Sequence, residues 1–543
     1  MFELDEIGLW NGRRMSPTRL FPLRHGTLGA LAVFHQPRHA RVTPEQVKTI
    51  GKPIKAIFTN RFTLSYESLH TFALNLHLLG YESTAPIVAA LISSVTWQLV
   101  HSRLAVLAGH LCVAVLPIIL VGGCLAYGQD RGQNPVEELK WLLQQKQYIE
   151  LERRLSADQS VLPSEDLAYF SGVMANRTLR VANSIRLLEP LLPVLKESNP
   201  VRAESVLCTL ADDYAKDFRY ADAATTYSEA QRLAERLGQA SECDAGQEAS
   251  RWALLSAAPV QTIADHKPFT VVRKEDRLGL FQIPVTAENY SGYWVADSGA
   301  NVSVISRSVA NRLGVVLSTE GETAQGIGGL SVVVHAAVIP EIRIGKAVLH
   351  NVAVLVVEDS ELNFPNIGYQ IEGSLGVPVL RALARITFHA DGRVDFAGTS
   401  RKLDQGGPHN LFFERFTPLV VADFGHGNQL FSLDTGAVGT ILSVQFLQED
   451  QGLIATGDLI DLQLIGAGGN LTAPAYVAHD LAAKLAGQCA RLKDVQVLTQ
   501  STGLPDEFYG NVGQNALSQF SSFTIDFNTM SLTATGGTPN ACR

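Results

Sequence analysis

Residues 293–303 read YWVADSGANVS, and a second copy of this pattern stands at 430–440 as LFSLDTGAVGT. In each copy an apolar run ends at an aspartate, Asp297 or Asp434, which is followed by a hydroxyl residue, a glycine and an alanine. This order predicts a β-strand that ends in a tight loop, with the aspartate at the strand end. One such tripeptide would carry little weight, because average residue usage produces chance matches. Two copies in similar surroundings predict that the aspartates hold equivalent places in two β-rich units.

The repeat extends well beyond the aspartates. Gly376 closes the segment Gly373-Ser374-Leu375-Gly376, Gly513 closes Gly510-Asn511-Val512-Gly513, and the two glycines follow their aspartates at the same distance. The offset between the two copies is 137 residues. A Gly-Gly-Pro segment at 406–408 supplies a linker between the copies. We therefore interpret 270–400 and 410–540 as two copies of one β-rich lobe.

This duplicated pattern resembles the aspartic peptidases of the pepsin and retropepsin type, and the spacing within each copy is closer to bacterial retropepsin-like proteins. The resemblance covers about half of the chain. It implies an all-β, bilobal pair of barrels related by a pseudo-twofold axis, with the substrate cleft between the lobes. It also implies that Asp297 and Asp434 are the catalytic pair, and that neither a metal nor another cofactor is required.

Peptidase chemistry accounts for the residue types beside the aspartates. Gly299 and Gly436 allow a backbone geometry that a Cβ would hinder, and their N–H groups can face the carboxylates. Ser298 and Thr435 can hydrogen-bond to the opposite loop, and the two later glycines let a neighbouring strand pass close beneath. Two adjacent carboxyl groups cannot both ionise cheaply, so they share one proton. The ionised carboxyl would activate a water, and the protonated one would donate to the peptide carbonyl oxygen.

Two glycine-rich stretches are candidate flap tips over the cleft. The candidates are Gly326, Gly328 and Gly329 in the first lobe, and Gly466, Gly468 and Gly469 in the second. An ordinary hairpin turn is the alternative for each stretch. The first lacks the aromatic residue that pepsins carry near the flap tip. Ser374 and Asn511 also depart from the family, because an apolar residue often precedes the Leu or Val at that point. These departures concern flap contacts and substrate pockets rather than the aspartates.

Residues 134–260 predict helices, because apolar residues recur there at spacings of three and four. Between 204 and 237 the small and aromatic residues stand at the spacing of a tetratricopeptide repeat, and this stretch resembles that family. Residues 165–197 are interpreted as a degenerate second copy. The chain is thus predicted to be a multidomain α+β protein in which an all-α region precedes the barrels. Such repeats predict a bound peptide or partner protein, and a helical spacer is the alternative.

An apolar run at 104–125 lies between a positively charged flank and a polar segment. Residues 100–128 therefore fit a secretory signal, a lipoprotein box with Cys124 as the lipidated residue, or a membrane anchor, and a buried core helix is the further alternative. Because signals normally begin a chain, we interpret residues 1–99 as an uncertain N-terminal extension. The mature protein is expected to be exported, either to the periplasm, to a membrane facing outward, or to the medium.

Composition and motifs exclude several other classes. A formal net charge of −9 repels phosphate backbones, so nucleic acid is not an expected partner. The sequence has no Gly-x-Ser-x-Gly elbow, no His-Glu-x-x-His motif and no phosphate-binding loop.

None of the cysteines has the paired spacing of a zinc site. Two disulfides, Cys208–Cys243 and Cys489–Cys542, and four free thiols remain alternative readings. The predicted function is an aspartic endopeptidase with polypeptide substrates. The alternative is a catalytically silent peptide- or protein-binding module that uses the same cleft and the helical repeats.

Overall fold

The computed structural model describes residues 134–274, 276–325, 331–399, 409–450, 452, 457–502, 508–537 and 542. The hypotheses about 1–99, about 100–128 with Cys124, and about the first flap tip at 326–329 lie outside these residues. Helices come first in the described chain and strands second, so the prediction of a helical region before β-rich, barrel-like sheets is confirmed. Within the described ranges, no helix combines the length and apolar character needed to cross a bilayer.

The helical region runs from 135 to 254. Its helices are α1 Pro135–Gln144, α2 Tyr148–Asp158, α3 Ser164–Arg177, α4 Val181–Leu188, α5 Leu192–Ser198, α6 Pro200–Lys216, α7 Tyr220–Leu237 and α8 Ala245–Leu254, with a 3-10 turn at Glu189–Leu191. Asn134 and Asn199 cap α1 and α6 by accepting backbone N–H bonds, and a proline follows each cap. Ala211 in α6 and Ala223 and Ala230 in α7 are fully buried. These small side chains let the two helices pack closely.

The first lobe begins at 262. Its elements are β1 Thr262–Ile263, β2 Phe269–Val272, β3 Gln282–Ala287, β4 Tyr290–Ala296, β5 Ser303–Ser306, α9 Arg307–Leu313, β6 Glu322–Gln325, β7 Ser331–Ile344, β8 Ala347–Val357, β9 Asn363–Phe364, β10 Tyr369–Gln370, β11 Gly373–Leu375, α10 Val377–Ala382, β12 Arg385–His389 and β13 Arg393–Phe396, with 3-10 turns at Asp359–Leu362 and Pro365–Ile367. The main sheet has the order β1-β8-β5-β11-β4-β3-β7-β6, and β7 also pairs with β8. That additional pairing closes the strands from β8 round to β7 into a barrel.

The second lobe follows from 411. Its elements are β14 Leu411–Glu414, β15 Thr417–Asp423, β16 Gln429–Leu433, β17 Ile441–Leu442, α11 Val444–Glu449, β18 Asp458–Gly466, β19 Gly469–Leu485, β20 Gln488–Leu498, β21 Gly510–Val512, α12 Gln514–Leu517, β22 Ser522–Asp526 and β23 Ser531–Thr535. The sheet order is β14-β15-β16-β21-β17-β20-β19-β18, and β15 also pairs with β19. The closed ring β20-β17-β21-β16-β15-β19 has the same connectivity as the ring β8-β5-β11-β4-β3-β7 of the first lobe.

A separate sheet joins the lobes in the order β2-β13-β12-β22-β23. At its centre β12 and β22 run antiparallel, with Thr387 opposite Thr524 and Phe388 opposite Phe523. The two threonine hydroxyls are 2.8 Å apart, and the phenylalanine rings stack at 4.9 Å. One strand from each lobe therefore pairs with the other edge to edge within this sheet, which sets the lobes side by side.

The helical region packs against both lobes. Arg177 of α3 forms an ion pair with Glu414 at the end of β14, at 2.9 Å, and Glu414 also accepts a hydrogen bond from Tyr148. Trp252 of α8 contacts Phe416 with ring centroids 5.1 Å apart. Arg381 of α10, in the first lobe, donates a 2.8 Å hydrogen bond to the carbonyl of Lys216. The helices are therefore in direct contact with the barrels.

The structure contains the disulfides Cys208–Cys243 and Cys489–Cys542. The first ties α6 to the segment before α8, and the second ties β20 to the C-terminal residues. The sequence allowed either two disulfides or four free thiols, and the structure contains the two disulfides.

Candidate active site

The two aspartates occupy matching places at the ends of β4 and β16. Each of these strands pairs in parallel with a three-residue strand, β11 or β21. The backbone N–H of Asp297 donates to the carbonyl of Leu375, and that of Asp434 donates to the carbonyl of Val512, both at 3.0 Å. The Asp297 loop is therefore held by β11, which directly precedes Gly376, and the Asp434 loop is held by β21, which directly precedes Gly513.

The hydroxyl residues after the aspartates connect the two loops. The N–H of Ser298 donates to Oγ1 of Thr435, and the N–H of Thr435 donates to Oγ of Ser298, both at 3.0 Å. Each hydroxyl then donates into the opposite lobe, Ser298 to the carbonyl of Leu433 at 2.7 Å and Thr435 to that of Ala296 at 2.6 Å. Both side chains are buried. This reciprocal set of hydrogen bonds locks the loops together away from solvent.

The next residue in each loop, a glycine, brings the aspartates together. Gly299 and Gly436 donate their N–H groups to the carboxylates of their own loops, at 3.0 and 2.8 Å. A Cβ on Gly299 would lie 2.6 Å from Cγ of Asp434, and one on Gly436 would lie 2.5 Å from Cγ of Asp297. Each carboxyl group thus lies against the glycine of the opposite loop. Any larger residue would displace it.

Gly376 and Gly513 allow the close passage of a second segment behind each loop. A Cβ on Gly376 would lie 2.6 Å from the carbonyl carbon of Val302, and one on Gly513 would lie 2.6 Å from that of Gly439. Backbone atoms cannot move aside as a flexible side chain can. These positions therefore have room only for glycine.

Burial and mutual charge control the acidity of the pair. Burial, followed by the charge of Asp434, raises the pKa of Asp297 to about 7, while hydrogen bonds from the Gly299 and Ala300 N–H groups and from Ser374 act in the opposite direction. Burial also raises the pKa of Asp434, against hydrogen bonds that include one from Asn511. Both residues keep part of their surface exposed. Two carboxyl groups in this setting can share one proton, because burial and the neighbouring charge disfavour ionisation of both.

The structure corrects the sequence-based prediction for two residues at this site. The sequence predicts that Ser374 and Asn511 affect flap contacts and substrate pockets rather than the aspartates. The structure places them on β11 and β21, beside the aspartates of their own lobes, where hydrogen bonding by their side chains lowers the pKa of Asp297 and of Asp434, respectively. The available signal was a polar residue two positions before the later glycine, in a strand where the neighbouring residue is apolar.

The flap candidates of the second lobe lie on a hairpin. In the second lobe, Gly466 at the end of β18 pairs with Gly469 at the start of β19 across a two-residue turn. Gly468 and Gly469 have φ values of 93° and 117°, which favour glycine. In the first lobe β6 and β7 pair up to Gln325 opposite Ser331, beside the tip at 326–329. Closure of either hairpin over a substrate stays a prediction.

Glu204 offers a carboxylate oxygen close to the sulfurs of Cys208 and Cys243, at a spacing that could suit a metal ion. Both sulfurs are engaged in their disulfide. In this oxidised state the group has no thiolate to offer a metal.

Comparison with known proteins gives a match to a family model and matches to solved structures. Residues 283–379 match the family model described as "Aspartyl protease", a segment that includes the Asp297 loop and Gly376. A retropepsin-like aspartic protease from Rickettsia conorii is similar at 18% identity, covering 24% of this chain and 99% of that chain, with a TM-score of 0.19. A comparison with curated proteins finds no relative. The family match supports an aspartyl protease relationship for this part of the chain.

Proposed function

We propose that the protein is an aspartic endopeptidase in which Asp297 and Asp434 act as one catalytic pair. The observation that carries the proposal is the reciprocal hydrogen bonding of Ser298 and Thr435, which brings each carboxyl group against the glycine of the opposite loop. Ordinary turn-forming aspartates in two unrelated lobes would not require this arrangement.

The reaction follows from the shared proton. The ionised carboxylate takes a proton from a water molecule, whose oxygen attacks the carbonyl carbon of a peptide bond. The protonated carboxyl group donates its proton to the carbonyl oxygen, which gives a neutral tetrahedral diol. The carboxyl group that gained the water proton then gives it to the amine nitrogen as the C–N bond breaks, and one hydroxyl of the diol returns its proton to the other carboxylate, so that a neutral amine and a new carboxylic acid are released. The original protonation state is thereby restored.

The substrate class in this proposal is a polypeptide that lies between the lobes. Gly299 is exposed and both aspartates are half-buried, so an extended chain has access to the pair from this side. The hairpins β6–β7 and β18–β19 supply one candidate flap from each lobe. Two flaps would exclude water once a substrate is bound.

The two lobes are, in this proposal, copies of one ancestral unit. Support comes from their matching ring connectivity and from the pairs Ser298 with Thr435 and Thr387 with Thr524, each separated by 137 residues. The helical region is proposed to be tetratricopeptide-like and to offer a surface to a protein partner or peptide. Its close α6–α7 packing supports this. The two disulfides support export to an oxidising compartment.

The test is hydrolysis of a peptide library by the purified protein over a range of acidic to neutral pH, with and without a statine-type transition-state inhibitor. Asp297→Asn and Asp434→Asn should each lower kcat/KM by at least about 100-fold while leaving the fold intact. Asp391→Asn is the matched control, because Asp391 is an exposed turn aspartate that pairs with Arg393. Cleavage that persists in both active-site variants would refute the proposal.

A further inference from the structure

The two aspartates have equivalent backbone partners but different side-chain partners. The N–H groups of Gly299 and Gly436 bond the two carboxylates at nearly equal distances, 3.0 and 2.8 Å. The equivalent positions on β11 and β21 differ, since the first holds Ser374 and the second holds Asn511. The lobes are therefore unequal at a point that touches the carboxyl groups.

In the second lobe a neighbouring strand orients the amide. Ser432 on β16 lies opposite Asn511 in the parallel register and is buried. Its hydroxyl is shared between Oδ1 of Asn511, at 3.0 Å, and the carbonyl of Gly510, at 3.2 Å. With its oxygen engaged, Asn511 has its NH₂ group left for Asp434. An amide NH₂ group is a donor only, so it stabilises an ionised carboxylate.

Among the described residues of the first lobe, no side chain on a strand paired with β11 bonds to Ser374 as Ser432 bonds to Asn511. The residue opposite Ser374 on β4 is Val295, which is buried and has no polar group. A hydroxyl can donate to a carboxylate or accept from a protonated carboxyl group. Ser374 is therefore compatible with either state of Asp297, whereas Asn511 favours one state of Asp434.

Resting on the proposed peptidase function, we propose that Asn511, held by Ser432, and Ser374 are positioning residues that remove the equivalence of the pair. Asp434 is the ionised carboxylate that takes the proton from water. Asp297 carries the shared proton and donates it to the carbonyl oxygen. Water attack therefore has a fixed direction relative to the two lobes.

The electrostatics of the pair agree with this order. Besides burial, the charged group that raises the pKa of Asp297 is Asp434, and the other groups acting on the two carboxyls are neutral donors: backbone N–H groups, Ser374 and Asn511. No cation contributes to either shift among the causes found in the described chain. The difference between the lobes thus depends on the two polar side chains.

The pH profile of kcat/KM tests the assignment through its two limbs. Asn511→Ser gives the second lobe the side chain of the first, and it should move the acid limb up by about one pH unit while the alkaline limb stays in place. Ser432→Ala should move the same limb in the same direction by less, because the amide stays but loses its anchor. Ser374→Ala should move the alkaline limb alone. A shift of the alkaline limb in Asn511→Ser, or of the acid limb in Ser374→Ala, would overturn the inference.

A measurement without turnover separates this inference from the peptidase proposal. Carboxyl-carbon NMR titration of the aspartate-labelled protein follows both groups, and the Asp297→Asn and Asp434→Asn variants assign the two resonances. We expect Asp434 to lose its proton at lower pH than Asp297, and Asn511→Ser to narrow that gap. If no peptide is cleaved, the proposed function fails while the titration order still stands or falls by itself. An Asp297 resonance that titrates first would contradict the assignment.

Discussion

Thr435→Val is the sharpest perturbation of the hydrogen bonds that join the two loops. Valine has nearly the same shape as threonine, so the substitution removes the hydroxyl with little change in volume. That hydroxyl accepts the N–H of Ser298 at 3.0 Å and donates to the carbonyl of Ala296 at 2.6 Å, in a fully buried position. The variant leaves one donor, the N–H of Ser298, and one acceptor, the carbonyl of Ala296, without partners, and both lie in the loop of the first lobe.

Each buried polar group without a partner costs about 1–3 kcal/mol. The two groups together predict a loss of about 2–4 kcal/mol in the free energy of unfolding, if one of them finds partial compensation. Because the loops position both carboxyl groups, kcat/KM should fall by at least about 100-fold, well beyond what the stability loss alone produces in a protein that remains folded.

Urea unfolding and peptide hydrolysis measure the two effects on the same protein. The control is Thr286→Val, an exposed threonine on β3 of the neighbouring barrel, which should change neither quantity appreciably. Ser298→Ala should resemble Thr435→Val, and the double variant should lose less than the sum, because the two hydroxyls bond within one network. A Thr435→Val protein with unchanged stability and activity would refute the reasoning that the interlocked loops create the site.

Three further predictions concern charge and covalent links. Burial alone would raise the pKa of Glu414, but the charge of Arg177 holds it at about 2, so the stability from this pair should be present above the ordinary glutamate pKa and be lost as pH falls towards 2. Glu414→Gln should cost about 3 kcal/mol at neutral pH and flatten that dependence in a series of melting curves. For Asp297 the pH dependence of stability has the opposite sign. Its pKa is raised to about 7, so its contribution to the free energy of unfolding becomes less favourable as pH rises above the ordinary aspartate pKa. In urea unfolding at pH 8, Asp297→Asn should therefore be more stable than the unsubstituted protein, and equal stability would argue against a strained carboxyl pair. Replacing both Cys208 and Cys243 by serine should lower the free energy of unfolding by about 3 kcal/mol, measured against the untreated protein and against the protein with the disulfide reduced.

The local sequence pattern was sufficient to predict the two aspartate loops of the candidate site. The apolar run before Asp297 predicts strand β4. The residue types after it predict a hydroxyl that bonds to the opposite loop and a glycine that leaves room for the carboxyl groups. The second copy at Asp434 supplied the matching loop. The helical region was also readable, since its buried alanines and leucines recur at helical spacing. These features are local, because each depends on residues only a few positions apart.

The tertiary structure decided which distant residues meet. The sequence did not predict that Ser374 and Asn511 act on the two aspartates. The direction of a side chain on a three-residue strand depends on the strands with which it pairs. The contact of Glu414 with Arg177 joins residues separated by 237 positions, and no periodic pattern records such a pairing. Amino-acid order determined where each strand ends and which residues follow it. Packing between the lobes and the helices determined which charges are buried together, because burial and electrostatic neighbours are properties of the assembled fold.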